Sequence, residues 1–98
     1  MIIKQPAVYI ISNKKNGTIY TGVTSNLIQR IHTHKENLTK GFASRYNCKL
    51  LVFYEFYSSM EEAINREKQI KAGSRTKKLK LIETMNPNWK DLYQSICF

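Results

Sequence analysis

The sequence predicts one α+β domain, on the strength of two observations. Strand-forming runs near the start of the chain are joined by an Asn-Gly turn, and later segments carry apolar residues at helical spacing behind helix-capping residues. The 98 residues, 42% of them hydrophobic, suffice to bury one modest core but not two. We therefore predict a single domain over residues 1–98.

The first two strands are predicted to form a hairpin. Residues 7–12 and 18–23 are β-rich, and the segment between them ends in Asn-Gly, a pair that readily adopts the positive φ angles of a tight turn. The two strands are then antiparallel neighbours. Tyr9 and Tyr20 would lie on facing strands, and the register of the hairpin decides whether they project from the same face.

The next elements follow from capping residues and composition. Residues 24–26 offer cap side chains before an apolar series at helical spacing, which predicts a helix over about residues 26–36. Residues 39–47 contain a glycine and have mixed polarity, which predicts a loop. Residues 49–57 are rich in Leu, Val, Phe and Tyr, and we predict that they form the third and central strand.

Two further helices are predicted in the second half of the chain. Ser59 precedes two glutamates, as is typical of a helix start, and the helix should run to Lys71 with Gly73 as its stop. A second start at Ser74 leads into a helix that ends before an Asn-Pro pair, because proline cannot continue a helix. The segment around Trp89 is expected to fold back as a short closing turn.

The charge balance indicates a polyanionic partner. Sixteen Lys and Arg face seven Asp and Glu, giving a net charge of +9 that attracts polyanions. Nucleic acid is the leading partner, with a generic basic protein or an anionic lipid surface as alternatives. The sequence shows neither a long apolar span nor a signal peptide, so we expect a cytoplasmic protein that does not enter a membrane.

The cysteines and histidines predict neither a zinc site nor a disulfide framework. Cys48 and Cys97 are far apart without C-x-x-C spacing, and the chain has only two histidines. We expect both cysteines to pack as small hydrophobic residues. No small-molecule cofactor is expected.

The first predicted helix carries a cation and an imidazole beside its apolar stripe. The stripe consists of Leu27, Ile31, His34 and Leu38, and Arg30 lies at its edge. One interpretation is that Arg30 and His34 belong to a site. The alternative is that Arg30 extends over the core while His34 is a partly buried histidine with its hydrogen bonds satisfied.

Glu67 is the sharpest anomaly in the pattern. It falls in the middle of a helical stripe whose other members are Met60, Ala63, Ile64 and Ile70. Burying a carboxylate without a partner is costly. Glu67 should therefore pair with Arg30 or Lys71, bind a metal ion, or point into a cleft.

These residues occur in an order that resembles a known nuclease family. Val-Tyr-Ile at Tyr9, then Tyr-Thr-Gly-x-Thr-x-Asn-Leu-x-x-Arg from Tyr20 to Arg30, then His34 and Glu67, are similar to the GIY-YIG nucleases across nearly the whole chain. The likeness is closest to their small stand-alone bacterial members, and the Asn-Pro-x-Trp ending is similar to theirs. Ala7 in place of the usual glycine, Thr21 in place of isoleucine and Val23 in place of an occasional lysine depart from the pattern, and Asn86 matches the family's asparagine only weakly.

The resemblance implies a fold, a reaction and residue roles. The fold would be a small three-stranded antiparallel sheet flanked by helices. Tyr9 and Tyr20 would be the two motif tyrosines, with Tyr20 activating the attacking water. Arg30 would stabilise charge on the phosphate and His34 would assist proton transfer or fix the phosphate. Glu67 would hold a single Mg²⁺ or Mn²⁺ ion, which a lone carboxylate binds weakly without substrate.

A basic segment next to Glu67 is the predicted nucleic-acid-binding surface. Its members are Arg66, Lys68, Lys71, Arg75, Lys77, Lys78 and Lys80. The alternative is a solvated helical face, since Lys-rich exteriors are common.

Three functional hypotheses follow. The first is a metal-dependent endonuclease that hydrolyses phosphodiester bonds in DNA, single-stranded or structured, with DNA preferred to RNA and DNA repair as one expected setting. The second is a non-catalytic nucleic-acid-binding module on the same fold. The third and weakest is a basic partner of another protein.

Overall fold

A three-stranded antiparallel sheet lies between two layers of helices. The computed structural model describes residues 5–38 and 41–97. The strands are β1 (Ala7–Ser12), β2 (Ile19–Thr24) and β3 (Leu50–Phe56). The helices are α1 (Leu27–Lys35), α2 (Phe42–Arg45), α3 (Met60–Ala72), α4 (Arg75–Met85) and α5 (Tyr93–Ile96). The predicted fold class is confirmed. Within the described ranges, no helix is long and apolar enough to cross a membrane.

The strand order is β2-β1-β3, so the prediction that the third strand is central is wrong. β1 occupies the centre, and all six of its residues are buried. Among the described residues, β3 lies at an edge and pairs with β1 alone. Its apolar composition reflects burial of its faces against helices, and composition alone does not tell a centrally paired strand from an edge strand that is covered on both faces.

The alternation of side chains along β1 divides the core in two. Ala7, Tyr9 and Ile11 point to one face of the sheet, where they pack with residues of α1, α2 and α5. We call this the α1 face. Val8 and Ile10 point to the other face and pack with residues of α3 and α4. We call this the α3 face.

Helix α1 begins where predicted but ends earlier than its apolar stripe suggests. The Asn26 side chain accepts a hydrogen bond from the backbone N–H of Gln29 at 3.2 Å, which caps the helix. Asn37 adopts a left-handed φ of 55°, which a continuing helix does not allow. Leu38 therefore lies outside the helix and is 69% exposed, contrary to its predicted place in the stripe.

The predicted loop over residues 39–47 contains the short helix α2. Gly41 precedes it with a φ of 122°, a conformation that glycine adopts without strain. Residues 39 and 40 lie outside the described residues.

Helices α3 and α4 begin at their predicted caps. The hydroxyl groups of Ser59 and Ser74 each accept a hydrogen bond from a first-turn backbone N–H. Of the stripe predicted on α3, Ala63 and Ile70 are buried, whereas Met60 and Ile64 are each 36% exposed. The exposure arises because α3 packs over β2, an edge strand, so part of its stripe extends past the sheet.

Asn86 ties the chain after α4 to the sheet. Its side-chain amide donates to the carbonyls of Val52 and Lys90 at 3.3 and 2.7 Å, and its carbonyl accepts from the Lys90 N–H at 3.0 Å. The residue is buried. Asn86 thus fixes the C-terminal segment, in which α5 begins at Tyr93, at the end of the predicted closing turn, and runs beyond it.

Candidate active site

The hairpin register places both motif tyrosines on the α1 face. Tyr9 pairs with Gly22, and Tyr20 pairs with Ile11, two residues further along β1. Because residues two apart on a strand share a face, Tyr9 and Tyr20 project to the same side of the sheet. The register therefore brings the two phenol side chains to one site.

Gly22 makes room for the Tyr9 ring. A Cβ atom at Gly22 would lie 2.4 Å from Tyr9 Oη and 2.5 Å from its Cζ, far inside van der Waals contact. The phenol therefore lies directly over the glycine of the second motif. A side chain at this position would have to displace Tyr9.

We expect Gly22→Ala to lower the free energy of unfolding by about 1–3 kcal/mol, because the added methyl group overpacks against Tyr9. Chemical denaturation measures the change. Gly73→Ala is the matched control, since its Cβ would come no closer than 3.4 Å to a neighbouring atom. Equal stability of the two variants would contradict the close approach at Gly22.

His34 joins the two tyrosines. Its Nε2 atom lies 3.0 Å from Tyr9 Oη in a buried hydrogen bond. Its ring centroid is 5.7 Å from that of Tyr9 and 5.9 Å from that of Tyr20. Position on α1 explains this placement, because His34 is one turn beyond Ile31 on the buried side of the helix. His34 is therefore both buried with a hydrogen-bond partner and central to the tyrosine pair.

The surroundings of Tyr9 and His34 shift the pKa values of both side chains. Burial raises the pKa of Tyr9; the neighbouring Tyr20 and Glu67 raise it further, and Arg30 opposes them. Tyr9 therefore stays protonated across the physiological range. Burial, followed by the charge of Arg30, lowers the pKa of His34 from its usual 6.5, so the imidazole is neutral at pH 7.

We expect His34 to make the protein less stable in mild acid. Because its folded pKa lies below the unfolded value, the unfolded chain binds more protons between the two, and the free energy of unfolding falls as pH drops through this window. Urea denaturation at about pH 5, 6 and 7 measures the slope. His34→Gln should reduce the slope, whereas substitution of the exposed His32 should not. An unchanged slope in His34→Gln would contradict the assignment.

Glu67 and Lys71 approach the tyrosines from α3. Glu67 has only 16% of its side chain exposed, and its Oε2 atom lies 3.3 Å from Lys71 Nζ. Of the alternatives left open for Glu67, the structure therefore shows the ion pair with Lys71. Lys71 Nζ in turn lies 5.9 Å from the Tyr20 ring centroid. Since Tyr20 is on the α1 face and α3 packs on the other, these side chains meet at the β2 edge of the sheet.

The structure thus brings the predicted catalytic residues to one edge of the sheet. Arg30 is exposed on α1, and its charge acts on both Tyr9 and His34. The charge of Glu67 acts on Tyr9. Lys71 was predicted as a possible partner of Glu67, at i,i+4 spacing, and as a member of the basic segment. Its contact with Tyr20 joins two different elements, and no signal in the sequence predicted it.

Comparison with known proteins identifies the family. A family model described as the GIY-YIG catalytic domain matches residues 5–80. This chain belongs to the GIY-YIG family. The match confirms the resemblance drawn from the two tyrosine motifs, and it spans the strands and helices that carry every predicted catalytic residue.

The GIY-YIG relatives include small proteins of similar length. A UPF0213 protein of Staphylococcus haemolyticus is 42% identical over 76 residues, covering 78% of this chain and 92% of the relative. A UPF0213 protein of Clostridium perfringens is 36% identical over 77 residues, covering 79% and 82%. The solution NMR structure of a UPF0213 protein from Bacillus halodurans has a TM-score of 0.56 at 30% identity, covering 89% and 92% of the two chains.

The donor set of this GIY-YIG chain fits a weakly held divalent ion. Over the described ranges, no group of three or more His, Cys, Asp or Glu side chains is arranged to hold a metal. Mg²⁺ commonly uses one or two carboxylates and completes its shell with waters and phosphate oxygens. Glu67 meets this pattern, because its carboxylate is partly exposed beside Tyr9 and Lys71.

The residues of the predicted nucleic-acid-binding surface do not lie together but in different parts of the structure. Arg66 Nε donates to Glu55 Oε1 at 2.9 Å, and Arg75 Nη2 donates to the carbonyls of the β1–β2 turn at 3.1 and 2.7 Å. Arg66 and its partner Glu55 line, together with Lys77, Lys78 and Lys80, a cleft of about 490 Å³ between α3, α4 and β3, whereas Arg75 lies at the β1–β2 turn and Lys71 at the β2 edge. This cleft lies on the α3 face, across the sheet from the tyrosines. The nucleic-acid-binding role of these residues and of Lys68 stays a prediction.

Proposed function

We propose that this GIY-YIG protein is a divalent-metal-dependent endonuclease that hydrolyses phosphodiester bonds in DNA. One observation carries the proposal. Two tyrosines, a neutral histidine, an arginine and a partly exposed carboxylate converge on one edge of the sheet. A base, a cation and a metal-binding carboxylate are the groups that phosphodiester hydrolysis requires.

The two tyrosines have different roles in this proposal. Tyr9 is buried, hydrogen-bonded to His34 and protonated, so it positions the imidazole and takes no proton itself. Tyr20 is only partly buried. As a phenolate or a hydrogen-bonded phenol, it activates the attacking water. The water gives a proton to Tyr20, with His34 assisting the transfer, as its oxygen bonds to phosphorus, and the leaving oxygen departs with the electron pair of the bond that breaks.

The charged residues stabilise the phosphate in the transition state. Arg30 supplies a guanidinium that stays charged at all physiological pH values, and its charge acts on Tyr9 and His34. A divalent ion held through Glu67 would neutralise the phosphate and the leaving oxygen. Lys71, paired with Glu67, keeps this edge attractive to phosphate.

The choice of DNA over RNA, a setting in DNA repair and a cytoplasmic location are further parts of the proposal. Membership of the GIY-YIG family supports DNA as the substrate, and the net charge of +9 supports a polyanionic partner, whether DNA or RNA.

Cleavage of labelled DNA tests the proposal. Purified protein is incubated with single-stranded, duplex, flap and branched DNA in Mg²⁺ or Mn²⁺, with EDTA as the control. We expect cleavage that EDTA abolishes. Salt-sensitive binding of all four substrates without cleavage would instead favour the non-catalytic module, in which substituting Lys77 and Lys78 abolishes binding while Glu67→Ala does not. Absence of salt-sensitive binding would favour the partner of another protein.

A further inference from the structure

Helix α2 presents an exposed pair of aromatic rings. Phe42 is 49% exposed and Tyr46 is 44% exposed, and their ring centroids are 4.6 Å apart. Two adjacent large aromatic side chains left in solvent forgo the free energy of burial. Apolar patches on a protein surface are often sites that bind a partner, a membrane or a ligand.

The exposed pair continues directly into the active site. The Phe42 ring stacks on Tyr20 at an interplanar angle of 24° and a centroid distance of 6.3 Å. Tyr20 in turn contacts His34 at 5.9 Å. The rings of Tyr46, Phe42, Tyr20 and His34 therefore form a continuous series from solvent to the proposed catalytic residues.

The backbone of α2 holds this pair in place. Ala43, between the two aromatic residues, is buried in the α1-face core. Its carbonyl accepts a hydrogen bond from the Cys48 N–H at 2.8 Å, and the carbonyl of Phe42 accepts one from the Tyr46 N–H at 3.0 Å. The aromatic faces are thus positioned before any ligand arrives, which reduces the entropic cost of binding.

We propose that Phe42 and Tyr46 form a stacking platform for an unpaired base of the strand that is cut at Tyr20. The inference rests on the proposed nuclease function and names its substrate class. Aromatic side chains flanked by cations bind single-stranded nucleic acid through stacking and phosphate contacts. Arg45 on the same helix and Lys71 beside Tyr20 supply those cations.

The net charge of the protein favours a nucleic acid base over a second copy of the chain as the occupant of the platform. Two copies, each with a net charge of +9, repel one another, whereas a nucleic acid strand is attracted. Bases within an intact duplex are already stacked on their neighbours. The platform therefore selects single strands, flaps or gaps over intact duplex.

Equilibrium binding in EDTA tests the platform independently of cleavage. The affinity for a fluorescent single-stranded oligonucleotide is compared for wild type, Phe42→Ala, Tyr46→Ala and Phe42→Trp. We expect each alanine variant to bind at least about fivefold more weakly, and the tryptophan variant to bind like wild type. Phe56→Ala is the matched control, because Phe56 is 46% exposed on β3, away from Tyr20, and its loss should change nothing.

A second binding measurement separates base stacking from other causes of a weaker affinity. An oligonucleotide lacking bases at successive positions should bind wild type as weakly as the alanine variants bind the intact strand. Unchanged affinity in the alanine variants, an equal loss on intact duplex, or self-association of the free protein that Phe42→Ala abolishes would overturn the platform. If the variants without the platform residues cleave DNA at the wild-type rate, the proposed nuclease function still holds. If the protein binds DNA in a base-dependent way but does not cleave it, only the nuclease function is overturned.

Discussion

Glu67→Gln should slow metal-dependent DNA cleavage at least about a thousandfold, since a bound divalent ion contributes several kcal/mol to the transition state. Glutamine keeps the shape of the side chain but removes the charge that would hold the ion. The rate is measured with labelled DNA under single-turnover conditions in Mg²⁺ or Mn²⁺. The fold should survive, because a partly exposed pair such as Glu67–Lys71 contributes at most about 1 kcal/mol to stability.

Glu61→Gln is the matched control for this prediction. Glu61 lies on the same helix and is exposed in its first turn, so the variant makes the same chemical change away from the site. It should cleave at the wild-type rate. If both variants cleave equally well, Glu67 holds no essential ion.

Tyr20→Phe is expected to slow cleavage by about a hundredfold to ten-thousandfold, the usual cost of losing a group that transfers a proton. Phenylalanine keeps the ring contacts with His34 and Phe42 and loses only the hydroxyl group. Binding of DNA in EDTA should therefore be unchanged while the single-turnover rate falls.

Tyr54→Phe provides the comparison for this second prediction. Tyr54 is a half-buried tyrosine of β3 that also packs against the α1-face core, yet β1 separates it from Tyr20. Its hydroxyl group should be dispensable for cleavage. An equal rate for Tyr20→Phe and Tyr54→Phe would show that Tyr20 does not activate the water.

Local sequence signals predicted much of this structure. The Asn-Gly turn and the serine and asparagine caps act over a few residues, and the elements they delimit appear within one or two positions of their predicted bounds. The residues of the candidate site were predicted from the order of the motifs and the resemblance to the GIY-YIG nucleases, while the shared face of the two tyrosines was left open. Once the hairpin forms, the register fixes Tyr9 and Tyr20 on one face.

The remaining features depend on tertiary packing. The central position of β1 and the exposure of Ile64 follow from which strand lies at an edge, which composition does not encode. The placement of Lys77 in the cleft on the α3 face, away from Lys71 at the β2 edge, likewise depends on how α4 packs after α3. The contact of Phe42 with Tyr20 joins residues from different elements, so spacing alone gave no signal for it.

The most direct test of the account is the single-turnover cleavage rate of the Tyr20→Phe/Glu67→Gln double variant beside each single variant and wild type. Residues that act as one catalytic unit lose activity non-additively. We predict that the double variant cleaves about as slowly as the slower single variant. Wild-type rates in all three variants would contradict the proposal that Tyr20 and Glu67 form one hydrolytic site.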